Sequence, residues 1–233
     1  MIVLKAGALP PAADRLLSAV SDAGHTLLPG PEALGAGTPT VAGDEPLTLV
    51  VSDGPAILNL LGVVRSLGPR RFRVLLLSRL GAHPDARADT LRRLWRLEEH
   101  VRGGGAPTLT LRLAPLVGPE TPFWRKLRSR PDLPGGGRKL VNPVAERDAV
   151  ETIVRALDGR GPWRDWYEVA GSETFSLAEL RDLASRTTGG RNGEWEPSLE
   201  EIAEHRLAEH EPWASAFHLE PTLLAACASA VVA

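Results

Sequence analysis

The chain is poor in the groups that most readily announce a chemistry. Its 233 residues include a single cysteine, Cys227, so no disulfide can close within it. There is a single tyrosine, Tyr167, which limits every mechanism that needs a phenol. No apolar run approaches the roughly 20 residues of a membrane span. The first residues lack the basic region, apolar core and cleavage site of a secretory signal. A formal net charge of -2 argues against general nucleic-acid binding. These absences lead to the expectation of a soluble, cytoplasmic protein that engages neither nucleic acid nor membrane. With 43% hydrophobic and 24% charged residues, the length fits one large domain, or one domain with a small appendage.

What is present is a regular alternation. Residues 1–7 (MIVLKAG) read as a buried strand, and a helix follows whose face carries Leu16, Leu17 and Val20 beside Ala13, with Gly24 suited to its end. Strands are expected at 25–28, 40–44, 46–54, 71–78 and 108–117. Helices are expected at 55–67 and 85–102, the second running into a Gly-Gly-Gly stop. Strands and helices alternating at this spacing imply a parallel sheet covered on both faces. Past 117 the spacing loosens. A helix is expected at 146–159, a strand at 166–171, and a helix capped by Ser176 with Glu179 completing a capping box. An acidic helix at 198–211 and an apolar helical tail from 221 close the pattern. The fold expected is α/β: a Rossmann-like doubly wound parallel sheet over residues 1–118, with a smaller C-terminal α/β substrate-type region over 119–233.

Several segments in this order carry a resemblance. "NLLGVVRSL" (59–67) looks like an Asn-x-x-Gly-Thr helix, and "RFRVLLLS" (71–78) like a fifth strand ending in an active-site serine, here Ser78. "TLTLRLAPLVGPE" carries Arg112, Gly118 and Pro119 where the pattern "ILRPxxVYGP" has them. "NPVAERDAVETIVRAL" matches "PVxVxDVAxAIxxAL" at Val144, Asp148 and Ala149. The chain thus resembles the extended and atypical short-chain dehydrogenase/reductase family, including its NmrA-like and epimerase/dehydratase branches. The resemblance implies a Rossmann-type domain, NAD(P) as the ancestral cofactor, and a C-terminal region that shapes the substrate pocket.

The residues that would do the family's chemistry are less complete than the frame. A phosphate-binding turn of the type Gly-x-x-Gly-x-x-Gly needs its glycines for a tight turn, close approach of the pyrophosphate, and helix packing. Gly7 matches the first, but Pro10 and Ala13 hold the other two positions, and Pro10 and Pro11 have no N–H to offer a phosphate. Pro-Pro is also simply a favourable helix start. Gly7, Asp44, Ser52 and Asp53 remain as candidate cofactor contacts, Asp44 matching an adenine-contacting Asp of many relatives. The family's Tyr-x-x-x-Lys pair sits one helical turn apart, so that Lys lowers the Tyr pKa. Setting Glu98 at the Glu that often follows the Lys puts Thr90 and Leu94 at the Tyr and Lys positions; setting Glu99 there puts Leu91 and Trp95. Neither register supplies a phenol or an amine.

Ser78 and His83, with Asp85, are the candidate catalytic groups at a strand's C-terminal end, though a lone Ser there is more often a hydrogen-bonded structural residue. Arg112 is a candidate substrate contact. So is Arg138, in a basic cluster with Arg125, Lys126, Arg128, Arg130 and Lys139 that also reads as a solvated loop. Glu201/His205 and His205/Glu209 share helical faces but lack a third ligand, so no metal site is expected. Trp124, Trp163, Trp166, Trp195 and Trp213 read mostly as packing. The reading is a divergent family member with an impaired dinucleotide site, binding NAD(P) weakly or not at all. It would act as a ligand-binding or regulatory protein, or as a redox-independent enzyme. The alternative is a working NAD(P)H-dependent reductase or epimerase without the Tyr–Lys pair. Expected partners are a small-molecule ligand or a protein, and a homodimer through the helices at 55–67 and 85–102, whose face with Leu91, Leu94 and Trp95 equally suits packing on the sheet.

Overall fold

A computed structural model describes residues 2–6, 11–28, 47–52, 72–163, 166–187, 192–193 and 195–224. The expected strand at 40–44, the helix at 55–67, most of the apolar tail, and the candidate residues Gly7, Asp44 and Asp53 lie outside the described residues.

The expected sheet is there. Strands β1 (Ile2–Ala6), β2 (Thr26–Leu28), β3 (Leu47–Ser52), β4 (Phe72–Arg79), β5 (Thr108–Leu113) and β9 (Trp166–Val169) form one sheet in the order β2-β1-β3-β4-β5-β9. All of its pairings are parallel. The order reverses between β1 and β3, so the crevice at their C-terminal ends is the place where this architecture receives ligands.

Strand alternation divides the core. Val50, Leu75, Leu77, Leu109 and Leu111 face α1 (Pro11–Asp22), α4 (Glu146–Leu157) and α7 (Glu211–Phe217), contributing to one cluster with Leu16, Ile153 and Trp213. Leu49, Val51, Val74 and Leu76 face the other way, against Leu91, Leu94, Leu97 and Val101 of α2 (Asp89–Gly103). The face of α2 bearing Leu91 and Leu94, with Trp95 packed beside it, is therefore spent on the sheet of its own chain.

The C-terminal half adds small sheets around this frame. The run 108–117 breaks at Pro115: β5 stays in the main sheet, while β6 (Leu116–Val117) pairs with β8 (Val144–Ala145). Helix α3 (Pro122–Arg128) packs on α5 (Leu177–Ser185), and a third cluster forms from Phe123, Trp124, Leu127, Leu177, Leu180 and Ile202. The predicted capping box is present: Ser176 Oγ accepts from Glu179 N–H at 3.2 Å, and Glu179 Oε2 accepts from Ser176 N–H at 2.7 Å. The Ser176 N–H, and with it the Ser176 hydroxyl, donate to the Glu179 carboxyl and hold it below its usual range.

The expected helix at 198–211 is corrected. Only α6 (Leu199–Ile202) is helical there; the chain then runs beside β7 (Leu140–Val141), where Arg206 N–H donates to Leu140 O at 2.8 Å and Arg206 O accepts from Asn142 N–H at 3.0 Å. A backbone that satisfies itself on a strand cannot continue a helix, and Pro212 opens α7.

A contact from α1 ties the N-terminal frame to the C-terminal half, and two more hold that half together. Arg15 of α1 forks onto Glu146 at 2.7 and 3.0 Å, which raises the Arg15 pKa. Asp148 accepts from both Thr222 N–H and Thr222 Oγ1 at 2.7 Å. Asn142 donates to Glu173 O and Thr174 Oγ1 while its Oδ1 accepts from Ala208 N–H. Gly118 and Gly171 are among the glycines that sit at close approaches. A Cβ on Gly118 would meet Glu146 Oε2 at 2.7 Å, and one on Gly171 would meet the Pro143 carbonyl oxygen at 2.2 Å. A side-chain tip can move aside, whereas the Pro143 backbone is fixed between β7 and β8. Gly171→Ala is therefore expected to cost about 1–3 kcal/mol by overpacking, measured by urea denaturation; unchanged stability would show that the 143–171 approach relaxes freely.

Candidate functional site

The C-terminal end of β4 builds the site, because consecutive residues of a strand face opposite sides of the sheet. Ser78 follows Val74 and Leu76 toward α2. Its Oγ, buried, donates to Glu98 Oε1 at 2.6 Å. Glu98 is itself 1% exposed and accepts from Arg112 Nη2 at 2.6 Å and Arg112 Nε at 3.1 Å. Arg112 lies opposite Ser78 in the β4/β5 register. Its guanidinium stacks 4.2 Å from the Trp166 ring, with Glu168 3.9 Å away. Burial pushes the Glu168 carboxyl above its usual range, and Arg112 offsets only part of that.

Arg79, the next residue, organises a second set. Its Nη1 donates to Glu201 Oε1 at 2.6 Å, and its Nη2 lies 3.6 Å from Glu196 Oε1. Glu201 is buried, accepts also from Thr90 Oγ1 at 3.0 Å, and closes a second capping box with Ser198. Glu196 Oε2 accepts from Ala12 N–H, in the first turn of α1, at 3.2 Å. Glu196, Pro197, Glu201 and Arg206 thus line the crevice at the head of the sheet. The space left there is about 50 Å³, lined by residues that include Ala12, Ser52, Ser78, Leu94, Glu196 and Arg206.

The candidates of the sequence reading fall into separate places. Ser52 and Ser78 border the same cavity. His83 is exposed on the loop after β4, where its Nδ1 accepts from Asp85 N–H at 3.2 Å, and it shares no hydrogen bond with Ser78. Arg112 is engaged by Glu98 and Trp166, and Arg138 lies exposed beside the turn at Pro134–Gly137. With Glu98 as anchor, the two positions of the missing Tyr–Lys pair do address the site: Leu94 lines the cavity and Thr90 bonds Glu201. Tyr167 packs edge-on against Phe217 at 5.3 Å, away from that crevice. Trp213 is fully buried with its Nε1 on Ala170 O, and Trp163 lies under Arg73. No group of three or more metal-ligating side chains occurs among the described residues. The Glu201/His205 pair is split: Glu201 turns inward to Arg79, while His205 Nδ1 accepts from Leu140 N–H at 3.1 Å. No helix among the described residues is long and apolar enough to cross a membrane.

Sequence reading missed Arg79 and Glu196. It met Glu98 only as an alignment anchor and Glu201 only as a half-formed metal pair. The one local signal was Ser198-Leu-Glu-Glu201, a capping-box pattern that fixes a helix start and says nothing of where its carboxylate points.

The order of strands, the helices on both faces and the crevice at the switch point define a Rossmann-like fold, similar to that of solved epimerases and related enzymes. Solved structures carry that likeness. A nucleoside-diphosphate-sugar epimerase from Staphylococcus aureus superposes with a TM-score of 0.68 at 13% identity, covering 97% of this chain and 99% of that one. RMD from Pseudomonas aeruginosa, complexed with NADPH, gives 0.67 at 14% identity, covering 100% and 98%. UDP-glucuronic acid 4-epimerase from Bacillus cereus, in complex with UDP-glucuronic acid and NAD, gives 0.62 at 14% identity, covering 99% and 98%. No protein-family model matches the sequence, and no curated protein sequence does.

The described residues, as arranged, do not fit a dinucleotide. Small-molecule sites run to about 300–1,000 Å³, against about 50 Å³ here. A pyrophosphate at the head of α1 would contend with Glu196 for Ala12 N–H. Among the described residues, no phenol or lysine amine lines the cavity.

Two outcomes test this electrostatic layout. Glu98→Ala leaves the half-buried Arg112 without its main carboxylate, with only Glu168 at 3.9 Å, and is expected to cost about 2–4 kcal/mol in urea denaturation; a loss below about 1 kcal/mol would show that Arg112 does not depend on it. Glu168 keeps its proton to higher pH in the folded chain than in the unfolded one, so its ionisation erodes stability as pH rises above the ordinary glutamate range. Glu168→Gln should therefore melt above wild type at about pH 7, with the difference narrowing toward about pH 4. A difference independent of pH would remove burial of that carboxylate as its cause.

Proposed function

We propose that this chain is a divergent protein of the epimerase/dehydratase fold whose dinucleotide site is impaired, working as a ligand-binding or regulatory protein or as an enzyme without a redox step. The observation that carries this reading is the Glu196 carboxylate on Ala12 N–H, in the crevice where the fold would receive a dinucleotide. Two further features support it. Prolines at 10 and 11 have no N–H for a phosphate, and neither register of the missing pair, Thr90 with Leu94 or Leu91 with Trp95, supplies the phenol and amine that hydride-transfer chemistry would need. Ser78 is held by Glu98, and Glu98 by Arg112, so that carboxylate is already neutralised and is a poor base for the Ser78 hydroxyl.

A second reading keeps the cofactor. It is favoured by fold neighbours solved with NAD or NADPH and by a serine standing at the end of β4. It requires that the crevice open and that other groups replace the Tyr–Lys pair.

Calorimetric titration of the full chain with NAD, NADH, NADP and NADPH separates the two. The impaired-site reading expects no saturable heat and no rise in Tm at micromolar ligand, since a ligand that binds only the folded state must stabilise it. Saturable micromolar binding of any of the four would overturn it in favour of the second reading.

A further inference from the structure

The main sheet ends on β9, and the outer edge of that strand is open. Ala114 N–H donates to Val169 O at 3.0 Å, which turns Val169, and by the alternation of a strand Tyr167, toward β5. Trp166 and Glu168 therefore turn their own N–H and C=O groups outward, where no hydrogen-bond partner meets them among the described residues. An unpaired strand edge is a template onto which another extended chain can add. The two faces beside this edge differ. Tyr167 and Val169 belong to the cluster under α7, with Tyr167 edge-on to Phe217. Trp166 and Glu168 face the other way, beside Arg112. Arg112 covers one face of the Trp166 ring, yet Trp166 stays 43% exposed. That side is short of a cation. Arg112 serves two carboxylates, Glu98 at 2.6 Å and Glu168 at 3.9 Å, and Glu168 has no other ion pair among the described residues. Burial already works against charge on Glu168, so a second cation would relieve it.

We propose that the outer edge of β9 docks an extended basic segment of another protein, which adds to the sheet as a further strand and lays a lysine or arginine against Trp166 and Glu168. The backbone groups of Trp166 and Glu168 supply the pairing, and the exposed ring and the carboxylate supply the selectivity. Residues opposite one another on paired strands project to the same face. Every second residue of the segment therefore meets Trp166 and Glu168, and the residues between them lie on the side of Tyr167. A pattern alternating basic and apolar residues fits both sides. A second copy of this chain fits less well. It would bring a second Glu168 onto the same face of the joined sheet, adding a carboxylate where a cation is missing, and each chain carries a net charge of -2. No residue of β9 lines the cavity in the crevice, so docking here is independent of whether a dinucleotide binds.

The test is calorimetric titration of the full chain with the peptide acetyl-Thr-Lys-Val-Lys-Val-Lys-Thr-amide. Its controls are the same peptide with Glu for Lys, and a copy methylated on every Lys and Val backbone nitrogen, which keeps the charge and loses the pairing. The lysine peptide should bind saturably, and the two controls should not. Affinity should fall about tenfold in Glu168→Gln and in Trp166→Ala. Glu168→Gln is expected to melt above wild type, so its lost affinity is not lost folding. Amide exchange at Trp166 and Glu168 should be fast in the free chain and slow in the complex. No saturable binding to wild type overturns the proposal, and so does equal affinity in wild type and both variants. Equal binding of the methylated copy also overturns it, because charge alone would then account for the attraction. Slow exchange in the free chain does the same, because the edge is then already covered: by a second copy if protection falls on dilution, by the chain's own residues if it does not.

Discussion

Charge at the C-terminal end of a buried parallel strand has to be paired, and β4 ends in two polar residues on opposite faces. Ser78 and Arg79 each draw glutamates from other parts of the chain, Glu98 on one side and Glu201 with Glu196 on the other. Taking a carboxylate or a guanidinium out of water is unfavourable by several kcal/mol per ion unless the partner's geometry is good. The partners here come from α2, from β5 and from the 196–206 segment, so satisfying the end of one strand fixes how three distant stretches meet. The sheet explains why the molecule holds together; the paired ends of β4 explain why its crevice has this shape.

The pairing also decides which chemistry is available. A serine that gives its proton to a free carboxylate is part-way to being a nucleophile. A serine whose carboxylate is already forked by an arginine is a structural donor, because the arginine has neutralised the base. The Trp166 face adds to this by stacking on Arg112, a second restraint on a cation already forked onto Glu98. Arg112 matches the resembling family's motif by position, yet its hydrogen bonds are internal. Matching residue type and position is thus compatible with a different role, which only the partners reveal.

The frame was legible because it rests on periodicity. Leu49 and Val51 against Val50, and Leu16, Leu17 and Val20 on one face of α1, are local patterns, and burial follows them directly. Capping at Ser176 was legible for the same reason, being complete within four residues. The segment 198–211 was not, because its helical pattern is overridden by backbone bonds from Arg206 to a strand more than sixty residues earlier. Glu196 was illegible on any local rule. Its role comes from meeting Ala12, which is 184 positions away in sequence, and no spacing or propensity encodes that meeting. The missing Tyr and Lys could be read from composition alone, since a chain whose only tyrosine is Tyr167 has no phenol to place near residue 90.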